Sequence, residues 1–145
     1  MTILEKTVNR DQIIDVFESR MSKMSQVEMP VKHIFTPGLY VREIQAKAGT
    51  ILTSKIHKYE HPFVLSKGKL RIYDSEIIEL EAPFTGVTPA GTRRLIKILE
   101  DVIWTTFHVT DKTTVEEVEK DIILARGNPL IWKKKRNKLS KKGEC

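Results

Sequence analysis

The stretch from Gly49 to Gly68, GTILTSKIHKYEHPFVLSKG, limits the fold more than any other part of the chain. Between its two glycines, residues able to bind or ligate (Lys55, His57, His61) alternate with aliphatic ones (Ile51, Ile56, Val64, Leu65). A period of two predicts two strands joined by a turn, with one face kept for polar chemistry. A second stretch, Pro83 to Arg94 (PFTGVTPAGTRR), supplies Gly86, Pro89 and Gly91 for a tight turn. Together they mark the expected site.

The flanking segments can be assigned on the same grounds. A helix is expected over DQIIDVFESRMSKMSQVE, capped by Asn9 or Asp11 and closed by Pro30, with Ile13, Ile14, Phe17, Met21 and Met24 near helical spacing. It is expected to pack on the β-structure, with both methionines in the core. VKHIFTPGLYVREIQAKAGT predicts a strand, a turn at Pro37 and Gly38, a second strand, and a turn ending at Gly49. Arg42 and Glu43 fall on opposite faces of that second strand, so one of them looks inward; the sequence does not choose between them. His33 is expected to be structural or exposed.

After Gly68, KLRIYDSEIIELEAP predicts a hairpin around Asp74 and Ser75. Arg93 is expected on the strand face opposite Arg94. LIKILEDVIWTTFHVT predicts two last strands with Glu100 and Asp101 between them. It puts Trp104, Thr106 and His108 on one face, Thr105 and Phe107 on the other. DKTTVEEVEKDIILARG predicts a second helix, capped by Thr113 or Thr114, acidic in its first turn and stopped by Gly127. No repeat or Pro- or Ser-rich linker separates these pieces. The expected layout is a helical segment over 1–30, an all-β core over 31–110, a helix over 111–127 and a basic tail over 128–145.

A chain of 145 residues suits one domain, which buries about 70% of its unfolded surface, and is short for two. With 40% hydrophobic and 30% charged residues, and no apolar run near the ~18 residues that a membrane span requires, no membrane partner is expected. MTILEKTVNRDQ shows no secretory signal, and the single Cys145 has no internal partner, so the cytoplasm is the expected location. The net charge of +6 is local. Residues 133–145, KKKRNKLSKKGEC, hold seven of the 25 Lys and Arg but one of the 19 acids, which leaves 18 of each elsewhere. Such a tail is either a solvated terminus or, through residues 133–142, a contact for nucleic-acid phosphates.

The two central stretches resemble the motifs of the cupin superfamily. The first cupin motif is Gly, five residues, His, one residue, His, three or four residues, Glu, six residues, Gly. This chain has Gly49, five residues, Lys55, Ile56, His57, three residues, His61, six residues, Gly68. The second motif is Gly, five residues, Pro, one residue, Gly, two residues, His, three residues, Asn. Here it is Pro83, five residues, Pro89, Ala90, Gly91, two residues, Arg94, three residues, Ile98. Both spacings agree, while Lys55, His61, Pro83, Arg94 and Ile98 replace residues of the family pattern. The resemblance covers roughly residues 35 to 110, and it extends to small single-domain cupins found among bacteriophage genes, for which the location would be the host cytoplasm. It implies a mainly β fold, a single-domain jelly-roll β-barrel, here with an N-terminal and a C-terminal helix. It also implies a homodimer or higher homo-oligomer.

Metal-binding cupins present three His and one Glu on the inner face. Here the four positions are Lys55, His57, His61 and Arg94. Arg cannot give up its proton to become a ligand, and fixed cations repel a dication, so this set excludes full metal occupancy and no cofactor is expected. A reduced divalent-metal site on His57 and His61 would need His108, Glu60 or Glu43 to join them. The same substitutions favour an anion, because Arg offers a planar fork and Lys a point charge. Trp104 or Tyr59 could stack on a ring. The expected ligand-binding set is therefore Lys55, His57, His61, Arg94, Trp104 and His108, for a phosphate- or carboxylate-bearing small molecule, nucleotide-derived ones included. Three alternatives stand beside it. Arg94 and Lys55 could be tied up by Glu43, Glu60 or Glu100 in a packed barrel. A metal-independent or weakly metal-dependent isomerase or epimerase could use His57 and His61 as its catalytic pair. The chain could also be a structural or assembly protein of a phage. No phosphate-cradling Gly loop, CxxC pair or HExxH motif occurs.

Overall fold

The computed structural model describes residues 3–24 and 28–124, with side chains from residue 12 onward. The two segments belong to separate compact units. The basic tail, and with it the nucleic-acid expectation for residues 133–142, lies outside the described residues.

In the first unit, helix α1 runs from Ile3 to Met21. It starts before Asn9 and Asp11, which lie inside it, because ILEKTVNR contains no Gly or Pro to stop propagation and several good helix formers. It also ends well before Pro30. Ser22 donates its hydroxyl to the Ser19 carbonyl at 2.7 Å, taking up one of the carbonyls that a helix end leaves unpaired. Met24, expected in a core, is exposed.

The second unit is mainly β. Strands β1 (Val31–Thr36) and β2 (Leu39–Ala46) form the expected hairpin, with Gly38 at φ +78° in the turn. Then come β3 (Ile51–Thr53), β4 (Ile56–His57), β5 (His61–Tyr73), β6 (Ile77–Glu81), β7 (Phe84–Thr88) and β8 (Leu95–Val109). Helix α2 (Val115–Ile122) and the short strand β9 (Ile123–Leu124) complete it.

Two long strands organise the unit. β5 and β8 pair along most of their lengths, and each also serves other neighbours. The first half of β5 pairs with β7 and the second half with β6. The first residues of β8 pair with β3 and its last eight with β2. One half is thus β1-β2-β8-β5-β7 and the other β3-β8-β5-β6, joined where β5 and β8 bend. Residues from both halves, among them Ile44, Phe63, Leu65, Leu70, Ile72, Ile98 and Trp104, make one core.

The bend has a local cause. In β5 the buried positions are His61, Phe63 and Leu65 before the bend and Leu70 and Ile72 after it, so the inward parity switches once. The register shifts fall between Leu65 and Leu70, and Gly68 sits there at φ +86°. A Cβ on Gly68 would overlap the Asp101 carbonyl of β8, so only glycine allows the strands to approach.

Several expectations need correction. Gly68 does not end the first stretch, since β5 continues through it. Glu100 and Asp101 do not separate two strands; β8 is continuous, its residues there pairing with β5 and β2, and Asp101 accepts from Ala48 N–H at 2.8 Å. Gly86 lies inside β7 rather than in the expected turn. The hydrogen-bonded sheets are open rather than closed into a barrel, because the long strands change partners at the bend instead of completing a ring. Helix α2 stops at Ile122, not Gly127, as Ile123 and Leu124 become extended to pair with β4. Its start agrees with the sequence: Thr114 Oγ1 accepts from Glu117 N–H at 3.2 Å. No helix among the described residues is long and apolar enough to cross a membrane.

Candidate functional site

The two sequence stretches are stapled together. Ser54 N–H donates to the Arg94 carbonyl at 2.9 Å, and Arg94 N–H donates to Ser54 Oγ at 2.8 Å. Gly91 N–H donates to the His57 carbonyl at 2.9 Å. His57 is held on its other side by β9, where it pairs with Ile123, and Lys58 N–H donates to the Ile122 carbonyl at 2.7 Å. Helix α2 therefore helps place His57. His61 opens β5 opposite Thr88. His108, near the end of β8, pairs with Tyr40 and packs on its ring at 5.7 Å between centroids. Tyr40 is fully buried under Val118 and Ile122 of α2, and its hydroxyl meets His33 Nδ1 at 2.6 Å. His33 is thus exposed with a structural bond, as expected.

These elements enclose a cavity of about 120 Å³. All six residues of the expected set, Lys55, His57, His61, Arg94, Trp104 and His108, line it. Tyr59, Glu43 and Glu60 do not, and Tyr59 is exposed. Arg42 is the inward residue of β2. The sequence could have chosen it only with the register, since Arg42 pairs with Thr106, and residues directly opposite share a face. Ser54 and Thr88 also line it from outside the expected set, Thr88 on the unexpected strand β7, and Thr106 joins Trp104 and His108, whose face it was expected to share. The remaining wall is apolar, built from Ile44, Leu52, Ile96, Ile98 and the Trp104 ring. No carboxylate is among the lining residues.

Three imidazoles crowd one end. Ring centroids of His57 and His61 are 4.5 Å apart, His61 and His108 4.4 Å, and His57 and His108 5.2 Å with nearly parallel planes. Burial pushes His57 down to about 4, helped by His61 and Arg42. His108 is pushed to about 3, again first by burial and then by its imidazole neighbours and Arg42. Burial lowers His61 as well, with Arg94 adding to it. The Tyr59 backbone offsets part of that shift, although no hydrogen bond of good geometry reaches Nδ1. All three rings are neutral at pH 7.

Arg94 does not meet Glu43, Glu60 or Glu100; its ion pair is with Asp74, Nε to Oδ2 at 3.6 Å. Arg93, expected on the opposite face of a strand, lies before β8 and is itself buried, so replacing it would disturb the fold. Trp104 Nε1 is buried and has no acceptor among the described residues. The ring packs against Phe63 in a tilted arrangement, 5.0 Å between centroids.

The set Lys55, His57, His61 and Arg94 does not fit a metal, because two of its members are cations. The donor chemistry changes with His108. It brings a third neutral imidazole, and the candidate ligand atoms of His57, His61 and His108 all lie within 4.8 Å of one another. Three neutral imidazoles suit a first-row transition metal, so these residues, rather than the motif positions alone, fit one.

No protein-family model matches the chain, and no curated protein matches it. Its fold does match solved structures. A cupin-superfamily protein from Desulfitobacterium hafniense superposes with a TM-score of 0.51 at 11% identity, over 61% of this chain and 83% of that one. The cupin domain of Cnp3 from Schizosaccharomyces pombe gives 0.50 at 16% identity, over 68% and 69%. An HTH_3-family transcriptional regulator from Vibrio cholerae gives 0.48 at 13% identity over 58% of this chain, which spans about half (52%) of that protein. The fold is therefore cupin-like. At these identities the likeness is one of fold, and activity has to be argued from the site.

Proposed function

We propose that this chain is a cupin-type binding protein whose cavity takes a small anion bearing a phosphate or carboxylate. The observation that carries the reading is the composition of the wall: Arg42, Lys55 and Arg94 line it, and no carboxylate does. An anion entering would meet three cationic side chains, one of them, Arg94, shared with Asp74, in a partly desolvated site where charge-assisted hydrogen bonds are strong. Trp104 Nε1 adds a buried donor that needs an acceptor.

Size narrows the guest. A dry cavity of roughly 150 Å³ holds a benzene molecule, so about 120 Å³ suits a small carboxylate, or a phosphate on a short body, and cannot enclose a whole nucleotide. The apolar wall favours a short hydrocarbon portion on the guest. Binding is preferred to isomerase chemistry because an isomerase needs one protonated and one deprotonated group at the substrate. His57 and His61 are both shifted downward, so near neutrality both are bases. The phage resemblance and a homo-oligomeric state belong to this proposal as context and do not carry it.

Calorimetric titration with inorganic phosphate, acetate and benzoate tests the reading. At least one should bind, and Arg94→Leu should weaken it tenfold or more, since losing one partner of a buried charge pair costs about 2–5 kcal/mol. Arg94→Lys should fall between the two, as it keeps charge but not the fork. Arg71→Leu is the control, because Arg71 does not line the cavity and its guanidinium meets Glu79 at 2.8 Å. Failure of all three anions to bind, or equal losses in Arg71 and Arg94 variants, would remove the proposal.

A further inference from the structure

His108 lies outside both motif-like stretches, yet it completes the tightest cluster of potential ligands among the described residues. Burying three imidazoles side by side has no packing rationale of its own. Each carries polar nitrogens that must be desolvated, and unpaired buried polar groups are costly. His61 Nδ1 is one such atom, buried with no hydrogen-bond partner among the described residues. The arrangement is explained if something binds between the rings.

We propose that His57, His61 and His108 together bind one first-row transition-metal dication, with His108 of β8 as third ligand in place of the cationic motif positions. The site is all nitrogen, so it selects Zn²⁺, Co²⁺, Ni²⁺ or Cu²⁺ over Mg²⁺ and Ca²⁺, which require oxygen ligands. Metal–nitrogen bonds of ~2.0–2.1 Å place tetrahedral ligand atoms about 3.3 Å apart, against an upper separation of 4.8 Å here. The required contraction is about 1.5 Å at most, shared among three side chains. Thr106 Oγ1 bonds His108 Nε2 at 2.9 Å and sets that ring's orientation, the role outer-shell partners play around metal-bound histidines.

Arg42 and Arg94 shape the rest of the site. Both act electrostatically on the cluster, Arg42 on His57 and His108 and Arg94 on His61. Their charge opposes a bare dication, and three protein ligands leave a coordination position open. An anion there would offset charge at the metal and lie beside both guanidinium groups, so metal and anion should bind with positive coupling. The metal proposal does not depend on the anion reading, as its ligands are the imidazoles alone.

The full chain, with Cys145→Ser to remove thiol ligation and stripped by chelation, is titrated with Co²⁺ and followed by its visible absorption. Zn²⁺ uptake is measured by equilibrium dialysis. One equivalent of each should bind, and His108→Ala and His57→Ala should each weaken it at least tenfold, a loss no smaller than outer-shell changes cause. Arg71→Leu, which lies outside the cavity, should leave it unchanged. Circular dichroism shows which variants fold; if His108→Ala does not, His57→Ala carries the test. Absence of uptake by the parent protein, or parental affinity in either folded variant, overturns the proposal. Arg94→Leu separates the two readings: it should weaken phosphate, acetate or benzoate binding tenfold or more while Co²⁺ alone still binds.

Discussion

Acidifying the protein from pH 7 to pH 5 should destabilise it strongly, because the imidazole cluster is held neutral. An unfolded histidine titrates near 6.5, whereas burial holds folded His57 at about 4 and His108 at about 3. Above about pH 6.5 both states carry neutral rings, and these groups make stability independent of pH. Below it the unfolded chain takes up protons that the folded chain refuses, so stability falls with pH until the folded values are reached. Each pH unit costs about 1.4 kcal/mol per histidine. At pH 5, one and a half units below 6.5, each of the two loses about 2 kcal/mol, and together about 4 kcal/mol, with His61 acting in the same direction. That is a large fraction of the 5–15 kcal/mol typical of a domain. The shifted carboxylates do not interfere: Glu79 and Asp101 are lowered from ordinary values of 4.5 and 3.8, so their contribution is lost only as pH falls further. Urea unfolding in the presence of chelator, at half-unit steps from pH 7.5 to 5, measures the effect. With a slope of roughly 2 kcal/mol per molar, the midpoint should fall by about 2 M. A midpoint constant to within a few tenths molar would mean that the rings protonate freely in the folded protein, and the cluster would not be a desolvated site.

Other outcomes follow from single residues. Gly68→Ala should cost more than about 2 kcal/mol, or prevent folding, since it combines a positive φ with a Cβ overlapping the Asp101 carbonyl; chemical denaturation reads this. Thr114→Ala should cost about 1 kcal/mol by removing the cap of α2, and hydrogen exchange at Lys58 N–H, bonded to Ile122, should speed up with it. Trp104→Phe should fold, keeping the contact with Phe63, but weaken any anion that accepts from the indole N–H by about tenfold; calorimetry against the same three anions checks it.

The sequence showed the site more fully than the fold around it. Lys55, His57 and His61 could be listed from alternation and Trp104 and His108 from strand parity, because a two-residue period places side chains without knowledge of partners, whereas Arg94 came from the resemblance to the second cupin motif. What needed partners was not legible. Arg42 became the inward residue only once its pairing with Thr106 fixed the face. Strand β7 was hidden because Gly86 and Pro89 carry turn chemistry on a segment that is extended by pairing with β5. Continuity of β8 through Glu100 and Asp101 could not be seen either, since it depends on pairing with β5 and β2. Similarly, Ile123 would continue a helix by propensity, but pairing with His57 holds it extended.

A native mass spectrum of freshly purified protein addresses the central claim, that the cavity is a built site for a small anion. The account predicts that the parent chain carries a small-molecule mass adduct that disappears in Arg94→Leu and persists in Arg71→Leu. A spectrum showing only the bare polypeptide for parent and both variants, even after incubation with phosphate, acetate and benzoate, would contradict it.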